Sequence, residues 1–189
     1  QIIDEIITKV NFTWCLSDQV IAELPGDSPF WIVKRENLDS YISTNAIEQG
    51  AKLLTSFEVT EVNRINNIWI VRSKDGRQIN SKCIVIANGS NSCLPQQFNL
   101  GPKKLHYAST TSVRLKGNGL LKKGTSIFDF GLVKYGFAWA FPLKNSVNIG
   151  VGSFIGNRSL ESEKILTKLL PSLGFDPKEG VKQNSNLRV

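Results

Sequence analysis

Four long runs of alternating apolar and polar residues in the second half of the chain constrain its fold more than any other feature. They span Leu105 to Leu115, Thr125 to Phe130, Phe137 to Leu143 and Val147 to Phe154. A period of two is typical of strands with one buried face, so these runs predict an antiparallel sheet. Asn145-Ser146 predicts a hairpin turn between the last two strands. Gly150 and Gly152 leave one face of the final strand nearly bare, which indicates that a bulky group lies against it.

The first half of the chain predicts a helix and a small antiparallel sheet. A short apolar strand from Phe30 to Val33 is followed by a helical pattern from Glu36 to Ala51. Three strands between Phe57 and Lys82 then form a meander, because Asn66-Asn67 and Asp75-Gly76 are typical turn pairs.

The run from Cys83 to Ala87 follows the meander and is apolar on both alternating faces. Such a run predicts a strand covered on both sides in a parallel or mixed sheet, with Cys83 buried. It ends at Asn88-Gly89-Ser90. Ligands of open α/β sheets gather beyond the carboxyl ends of the strands, so this turn is a candidate site, with an ordinary tight turn as the alternative.

Weaker patterns describe the two ends of the chain. Apolar residues at helical spacing predict a helix at the start: Ile2, Ile3, Ile6, Ile7 and Val10. Because the chain begins with Gln1 and runs straight into this pattern, we expect it to start within a domain. A second helix is predicted around Leu160 to Leu170, with Ser159 as its cap. The polar residues from Asp176 to Val189 predict an irregular tail.

Composition and charge exclude several classes of protein. Of the 189 residues, 41% are hydrophobic and 21% are charged, which is typical of a globular protein. The net charge of +7 comes from basic residues scattered singly or in pairs. Nucleic-acid binding usually needs a clustered basic surface, so we expect no nucleic-acid partner.

The remaining features give no catalytic residue and no metal site. Cys15, Cys83 and Cys93 are spaced neither as a metal knuckle nor as a disulfide framework. His106, the single histidine, lies in an alternating strand and is interpreted as an ordinary residue. No run reaches the ~18 apolar residues of a membrane span, and no leader is visible, so we expect a cytoplasmic protein, with peripheral membrane contact as a further option.

Three local motifs carry a resemblance to a known family. Arg35-Glu36-Asn37-Leu38-Asp39 resembles the RxxLD of flavoproteins of the p-hydroxybenzoate hydroxylase type, and Ile84 to Ser90 resembles their VIxADGxxS. Gly136 to Pro142, which reads GFAWAFP, resembles the GYxWxFP of geranylgeranyl reductases, and Asn148 to Gly152 follows it. The chain is thus similar to the geranylgeranyl reductases, FAD-dependent enzymes that reduce double bonds of prenyl chains.

The resemblance implies a fold and a set of site residues. It implies a mixed α+β and α/β chain: a partial FAD-binding domain with a three-stranded meander over 1–101, an antiparallel substrate-domain sheet over 102–156, and a helix and tail over 157–189. The implied FAD-binding residues are Arg35, Val59, Ala87, Asn88 and Gly89. The implied walls of an apolar substrate channel are Phe137, Trp139, Phe141 and Pro142. FAD is the implied cofactor, with NADPH or another reductant as electron donor and a prenyl chain as substrate.

Departures from the family pattern leave alternatives open. The chain has no GxGxxG after a strand and before a helix. Asn88 stands where the family usually has Asp, which removes a carboxylate. Phe137 replaces a Tyr. The chain alone is therefore not expected to be active, and it could instead be a truncated non-catalytic relative that binds a lipid or a partner, or part of a related flavin monooxygenase or halogenase. The sequence leaves the oligomeric state open.

Overall fold

The computed structural model describes residues 2–89, 92–100, 106–155 and 159–188. The chain folds into two compact units. Unit 1 comprises residues 1–38 and 102–189, and unit 2 comprises residues 39–101. The predicted Gly101-Pro102 boundary and Ser90 of the second motif lie outside the described residues, as does the side chain of the predicted cap Ser159.

Unit 1 is built on a seven-stranded sheet with the order β12-β8-β11-β10-β9-β2-β3. Its neighbours are antiparallel except for β2 and β9, which are parallel. The strands are β2 (Lys9–Trp14), β3 (Ser17–Glu23), β8 (Tyr107–Lys116), β9 (Thr125–Phe130), β10 (Gly136–Leu143), β11 (Ser146–Ser153) and β12 (Lys182–Arg188). A separate antiparallel pair joins β1 (Ile3–Ile7) to β4 (Phe30–Val33).

The four alternating runs form the predicted antiparallel strands β8 to β11. The hairpin between β10 and β11 turns at Lys144 and Asn145, one residue earlier than predicted, because Leu143 pairs with Ser146. One face of these strands packs against helix α3 (Ser159–Ser172), and together they form the core of unit 1. The largest fully buried members of that core are Val113, Val147, Ile149, Val151, Leu166, Leu169 and Leu170.

The predicted N-terminal helix is wrong, since the residues that were assigned to it form β1 and the start of β2. The spacing of Ile3, Ile6, Ile7 and Val10 fits a helix side, but β-branched residues lose side-chain freedom in helices and favour strands. The deciding contact is distant in sequence: Lys9 pairs with Thr125, and the whole of β2 runs parallel to β9.

The predicted irregular tail is also wrong. Residues 182–188 form β12, which pairs along β8 from Val113 to Tyr107. The Thr111 hydroxyl donates a hydrogen bond to Asn184 Oδ1 at 2.7 Å across this pair. Backbone pairing with an existing strand does not require apolar side chains, so hydropathy gave no signal for this edge strand.

A buried carboxylate fixes the β2–β3 hairpin. Asp129 on β9 is 1% exposed, and its Oδ2 accepts hydrogen bonds from Thr13 Oγ1 and the Leu16 backbone N–H, both at 2.6 Å. The hairpin turns at Cys15 and Leu16, whose φ angles of 51° and 65° are unfavourable for residues with side chains. The Asp129 contact therefore holds a turn that the local sequence disfavours.

Unit 2 contains the predicted meander. Its strands are β5 (Val59–Ile65), β6 (Ile68–Ser73) and β7 (Gln78–Ser81), paired in that order. Helix α1 (Arg35–Glu48) begins at the last residues of unit 1 and confirms the predicted helix, while α2 (Leu94–Gln97) is a single turn. The mixed fold class predicted from the sequence is confirmed.

The predicted strand from Cys83 to Ala87 is absent. These residues form no ladder with any strand in the described ranges, Val85 is 87% exposed, and Cys83 is exposed rather than buried. A strand with two apolar faces is stable only between neighbouring strands and covering layers, and no such neighbour among the described residues pairs with this run.

The predicted domains and the observed units divide the chain in different ways. Unit 1 joins residues 1–38 to residues 102–189, and unit 2 holds only residues 39–101. Residues 9–23, however, add strands to the same sheet as residues 107–153, whereas the sequence analysis placed them in a partial FAD-binding domain. The functional assignment of the predicted domains stays a prediction. Across the described part of the chain, no helix is both long and apolar enough to cross a membrane.

Candidate functional site

The face of the large sheet opposite helix α3 is covered by aromatic side chains. Strand alternation sends Ala138 and Ala140 to the helix face and sends Phe137, Trp139 and Phe141 to the other. Phe128 stands beside them, because β9 pairs with β10 at Phe128 and Trp139. The Phe128 ring centroid lies 5.7 Å from that of Phe137 and 5.3 Å from that of Phe141. Such edge and tilted contacts are the favoured geometries of aromatic pairs.

The Trp139 ring lies against the neighbouring strand β11 at Gly150 and Gly152. Its register partner there is Gly150, and a Cβ on Gly150 would stand only 2.3 Å from Trp139 Cζ2. The indole Nε1 donates a hydrogen bond to Asn148 Oδ1 at 2.8 Å. The bulky group that the bare glycine face predicts is therefore the Trp139 ring itself.

These side chains enclose an apolar cavity of about 380 Å³. Its walls are Phe128, Phe137, Trp139, Phe141 and Phe154, with Ala108, Thr110, Gly152 and Ser153 completing the lining. None of the described lining residues is titratable. A cavity of this size and chemistry suits an apolar ligand held by burial and dispersion rather than by charge.

Three of the four predicted substrate residues lie together in this cavity. Phe137, Trp139 and Phe141 line it, whereas Pro142 points to the opposite face and is fully buried. The alternation of β10 separates Pro142 from its neighbour Phe141. Whether the three aromatic residues bind a substrate stays a prediction.

Sequence reasoning missed two of the aromatic walls, Phe128 and Phe154. It also missed Asn148 as the hydrogen-bond acceptor of the Trp139 indole. Phe128 lies in an alternating run, which predicted that it belongs to a strand but did not predict that this strand pairs with β10. Phe154 follows the last residue of β11, and its ring centroid is 5.9 Å from that of Phe137. Asn148 was recognised only as part of a motif. A signal was available, because Asn148 and Gly150 share the strand face of Trp139 through their period-two spacing.

The predicted FAD-binding residues are accessible in their own units. Arg35 is the first residue of α1 in unit 1 and is exposed. In unit 2, Val59 lies at the start of β5, and Ala87, Asn88 and Gly89 form an exposed stretch of backbone. Gly89 has a φ of +89°, and an added Cβ would meet nothing within 4 Å. Open backbone at a positive-φ glycine is compatible with the close approach of a phosphate group, so these positions fit the predicted role, which stays a prediction.

The carboxyl groups with a lowered pKa lie in exposed ion pairs. A hydrogen bond from the Arg77 guanidinium, aided by Ser73, holds the pKa of Asp75 well below its usual range. Arg72 lowers the pKa of Glu61 in the same way. These pairs stabilise turns and strands of the meander and do not line the aromatic cavity. Within the described residues, no group of His, Cys, Asp or Glu could hold a metal ion.

Comparisons of sequence place the chain near archaeal proteins. No protein-family model matches it. The chain is 25% identical over 147 residues to an uncharacterised protein of Methanosarcina barkeri. It is 23% identical over 144 residues to a digeranylgeranylglycerophospholipid reductase of Methanococcus vannielii. These matches cover 77% and 70% of this chain but 37% and 36% of the relatives, so the chain spans little more than a third of their length.

Comparisons of structure support the same resemblance. A geranylgeranyl bacteriochlorophyll reductase-like protein of Thermoplasma acidophilum matches 99% of this chain with a TM-score of 0.83 at 18% identity, and 51% of its own length is covered. The halogenase PltM, in complex with phloroglucinol and FAD, matches 99% of this chain with a TM-score of 0.71 at 15% identity and is covered over 44% of its length. The chain shares the fold of these proteins, and the resemblance predicted from the three motifs is confirmed.

Proposed function

On the premise of this similarity to geranylgeranyl reductase-like proteins, we propose that the chain is part of a flavin-dependent oxidoreductase that reduces double bonds of prenyl chains. The aromatic cavity is the single observation that carries the proposal. Five aromatic side chains form its walls, and the described lining residues include no titratable group. Three of the five belong to the motif on which the resemblance rests.

A prenyl chain matches the chemistry of this cavity. Such a chain has methyl branches and double bonds but no hydrogen-bonding groups along its length. Binding must therefore come from burial, at roughly 25 cal/mol per Å² of apolar surface removed from water. Aromatic walls supply large apolar area at a small loss of side-chain freedom. Trp139 and Phe137, whose ring centroids are 6.0 Å apart, would contact the chain from the sheet side.

The halogenase alternative receives less support from the cavity. PltM was solved with phloroglucinol, an aromatic ring with three hydroxyl groups. A ligand of that kind needs hydrogen-bonding partners in its pocket, because buried unpaired hydroxyls are unfavourable. Among the described lining residues, the polar side chains are Thr110 and Ser153, and the indole N–H of Trp139 is already donated to Asn148.

The exposed positions that the family motifs name would bind FAD. The Arg35 guanidinium would fork onto phosphate or ribose oxygens, and Gly89 would allow the backbone to come close. Val59, Ala87 and Asn88 would contact the adenosine half, with Asn88 donating where a carboxylate could only accept. When bound and reduced, the flavin would supply a hydride to one carbon of the double bond, and a proton would have to reach the other carbon. NADPH or another reductant would supply its electrons.

Flavin retention and chain binding together test the proposal. We would add FAD to the purified protein, separate it by gel filtration and record the flavin absorbance that elutes with it. Binding of geranylgeraniol would be followed by the quenching of tryptophan fluorescence. The proposal expects both to bind, and expects Arg35→Gln to lower flavin retention while Lys52→Gln, at an exposed site without a proposed role, leaves it unchanged.

The two measurements separate the alternatives. Folded protein that binds geranylgeraniol but elutes without flavin would favour the non-catalytic lipid-binding relative. Protein that binds FAD but not geranylgeraniol would favour a related flavin monooxygenase or halogenase. Binding of neither would contradict the proposal.

Peripheral membrane contact forms part of the same proposal. Tyr135, Phe154 and Ile155 are more than half exposed at the edge of the cavity, where the Phe154 N–H donates to the Tyr135 carbonyl at 2.9 Å. The Lys134 ammonium lies 5.3 Å from the Tyr135 ring centre. Tyrosine and lysine side chains of this kind favour the membrane–water interface. We expect co-sedimentation with phosphatidylglycerol vesicles that Ile155→Ser weakens, and no sedimentation of the unchanged protein would contradict it.

A further inference from the structure

Trp139 differs from the other aromatic walls of the cavity in having a hydrogen-bond donor. The other four are phenylalanines, which are held by packing alone. The indole N–H of Trp139 is donated to Asn148 Oδ1 at 2.8 Å. The register of the two strands pairs Trp139 with Gly150 and Phe141 with Asn148, so Asn148 is a diagonal neighbour of the indole on the same face.

The hydrogen bond fixes which way the ring lies. Gly150 leaves a gap beneath the ring, and the ring fills it so closely that an added Cβ would be 2.6 Å from Trp139 Cε2 and 2.9 Å from the Ser112 Cβ. Packing on one side does not stop a half-buried ring from turning toward the open cavity. An acceptor at its edge does, because a turned indole would leave both its N–H and the Asn148 oxygen without their partner.

We propose that Asn148 is a positioning residue that holds the Trp139 ring against Gly150 and thereby sets the cross-section of the apolar cavity. The cavity then accepts a narrow linear chain and disfavours a chain that ends in a ring. This inference rests on the proposed function, since it assigns selectivity to the same cavity. The net energy of one neutral hydrogen bond limits the effect on selectivity to roughly two- to tenfold.

A matched pair of variants isolates the hydrogen bond. Asn148→Leu keeps the size of the side chain and removes the acceptor, whereas Asn148→Asp keeps an oxygen that can accept from the indole. The probes are geranylgeraniol, a linear prenyl alcohol, and retinol, which carries a cyclohexenyl ring. We expect the unchanged protein to bind geranylgeraniol more tightly than retinol. Asn148→Leu should reduce this preference two- to tenfold, and Asn148→Asp should restore most of it.

Two further readouts distinguish positioning from a general loss of structure. In a Trp139→Phe background the ring has no donor, so Asn148→Leu should change the preference no further. In protein labelled with 5-fluorotryptophan, the fluorine resonance of Trp139, assigned by its loss in Trp139→Phe, should shift or broaden in Asn148→Leu and not in Asn148→Asp.

An unchanged preference and an unchanged resonance in Asn148→Leu would overturn the inference while leaving the proposed function intact. An equal effect of Asn148→Leu with and without the indole would also overturn it. Failure of the unchanged protein to bind geranylgeraniol would instead overturn the proposed function, and the selectivity with it, whereas the resonance would still report whether Asn148 holds the ring.

Discussion

Replacing Gly150 by alanine would place a methyl group where the Trp139 ring lies. The added carbon would stand 2.3 Å from Trp139 Cζ2, 2.6 Å from Cε2 and 2.9 Å from the Ser112 Cβ. Carbon atoms pack comfortably at roughly 3.5–4.0 Å, so the ring must retreat by about 1 Å. That movement stretches the 2.8 Å hydrogen bond to Asn148 as well.

The expected loss of stability follows from these terms. Forcing an extra methyl group into a packed site destabilises by about 1–3 kcal/mol, and a weakened hydrogen bond adds about 0.5–1.5 kcal/mol. Replacing glycine restricts the unfolded chain and offsets about 0.4–1 kcal/mol. We therefore expect Gly150→Ala to lower the free energy of unfolding by about 2 kcal/mol. Urea denaturation followed by tryptophan fluorescence measures the change.

Gly152→Ala is the matched control on the same strand face. Its added carbon would meet Thr110 Cγ2 and Trp139 Cζ3 at 3.3 Å, so small shifts relieve the contact. We expect a change within about 1 kcal/mol of zero. In a Trp139→Ala background the two indole contacts are gone and the 2.9 Å approach to the Ser112 Cβ remains, so Gly150→Ala should then destabilise the protein less. The reasoning would be refuted if Gly150→Ala and Gly152→Ala lowered the free energy of unfolding equally. It would also be refuted if Gly150→Ala lowered it by the same amount with and without the indole.

Three further predictions concern the turn, the core and the charged meander. Asp129→Ala should lower the free energy of unfolding by about 2–3 kcal/mol in urea denaturation, because the Thr13 hydroxyl and the Leu16 N–H lose their acceptor, and Asp129→Asn should lower it less. Leu170→Ala removes a fully buried side chain between α3 and the sheet and should cost about 2–5 kcal/mol in the same assay. Arg77 depresses the pKa of Asp75, so the stabilisation is present above the unfolded pKa of about 3.9 and fades as pH falls through the lower folded value. A denaturation midpoint measured from pH 7 to pH 2.5 should fall less in Asp75→Asn than in the unchanged protein.

Local patterns were sufficient for strands whose partners lie next to them in sequence. β10 and β11 are joined by a two-residue turn, so the period of two and the turn position together predicted the hairpin to within one residue. The meander follows the same logic, with Asp75 and Gly76 at its second turn. In both cases the pairing information lies in residues that are close together along the chain.

Strands with distant partners were missed. The Thr13 to Asp129 pair joins residues separated by 116 positions. The isoleucine and valine residues that lead into β2 fit a helix equally well. Only the pairing with β9 makes this segment a strand. The run from Cys83 to Ala87 shows the reverse error, because its apolar pattern predicted a strand for which no described partner exists.

The candidate site was predicted as a group of residues rather than as a surface. The motif from Phe137 to Pro142 is contiguous in sequence, but strand alternation places Pro142 on the opposite face from the three aromatic residues. Phe128 and Asn148 complete the site from other strands. A motif names neighbours along the chain, whereas a cavity is lined by neighbours across the sheet.

Side-chain chemistry over a few residues was enough to specify some local elements of this protein: the amphipathic strands β8 to β11, the turn between β10 and β11, the turns of the meander, two helices and the aromatic motif. Tertiary structure alone decided that β2 pairs with β9 and that β12 pairs with β8 as the edge strand of the sheet. It also decided that Trp139, which lies against Gly150, donates a hydrogen bond to Asn148. These outcomes depend on which distant strands become neighbours, and that choice is made by the free energy of the whole sheet and its core.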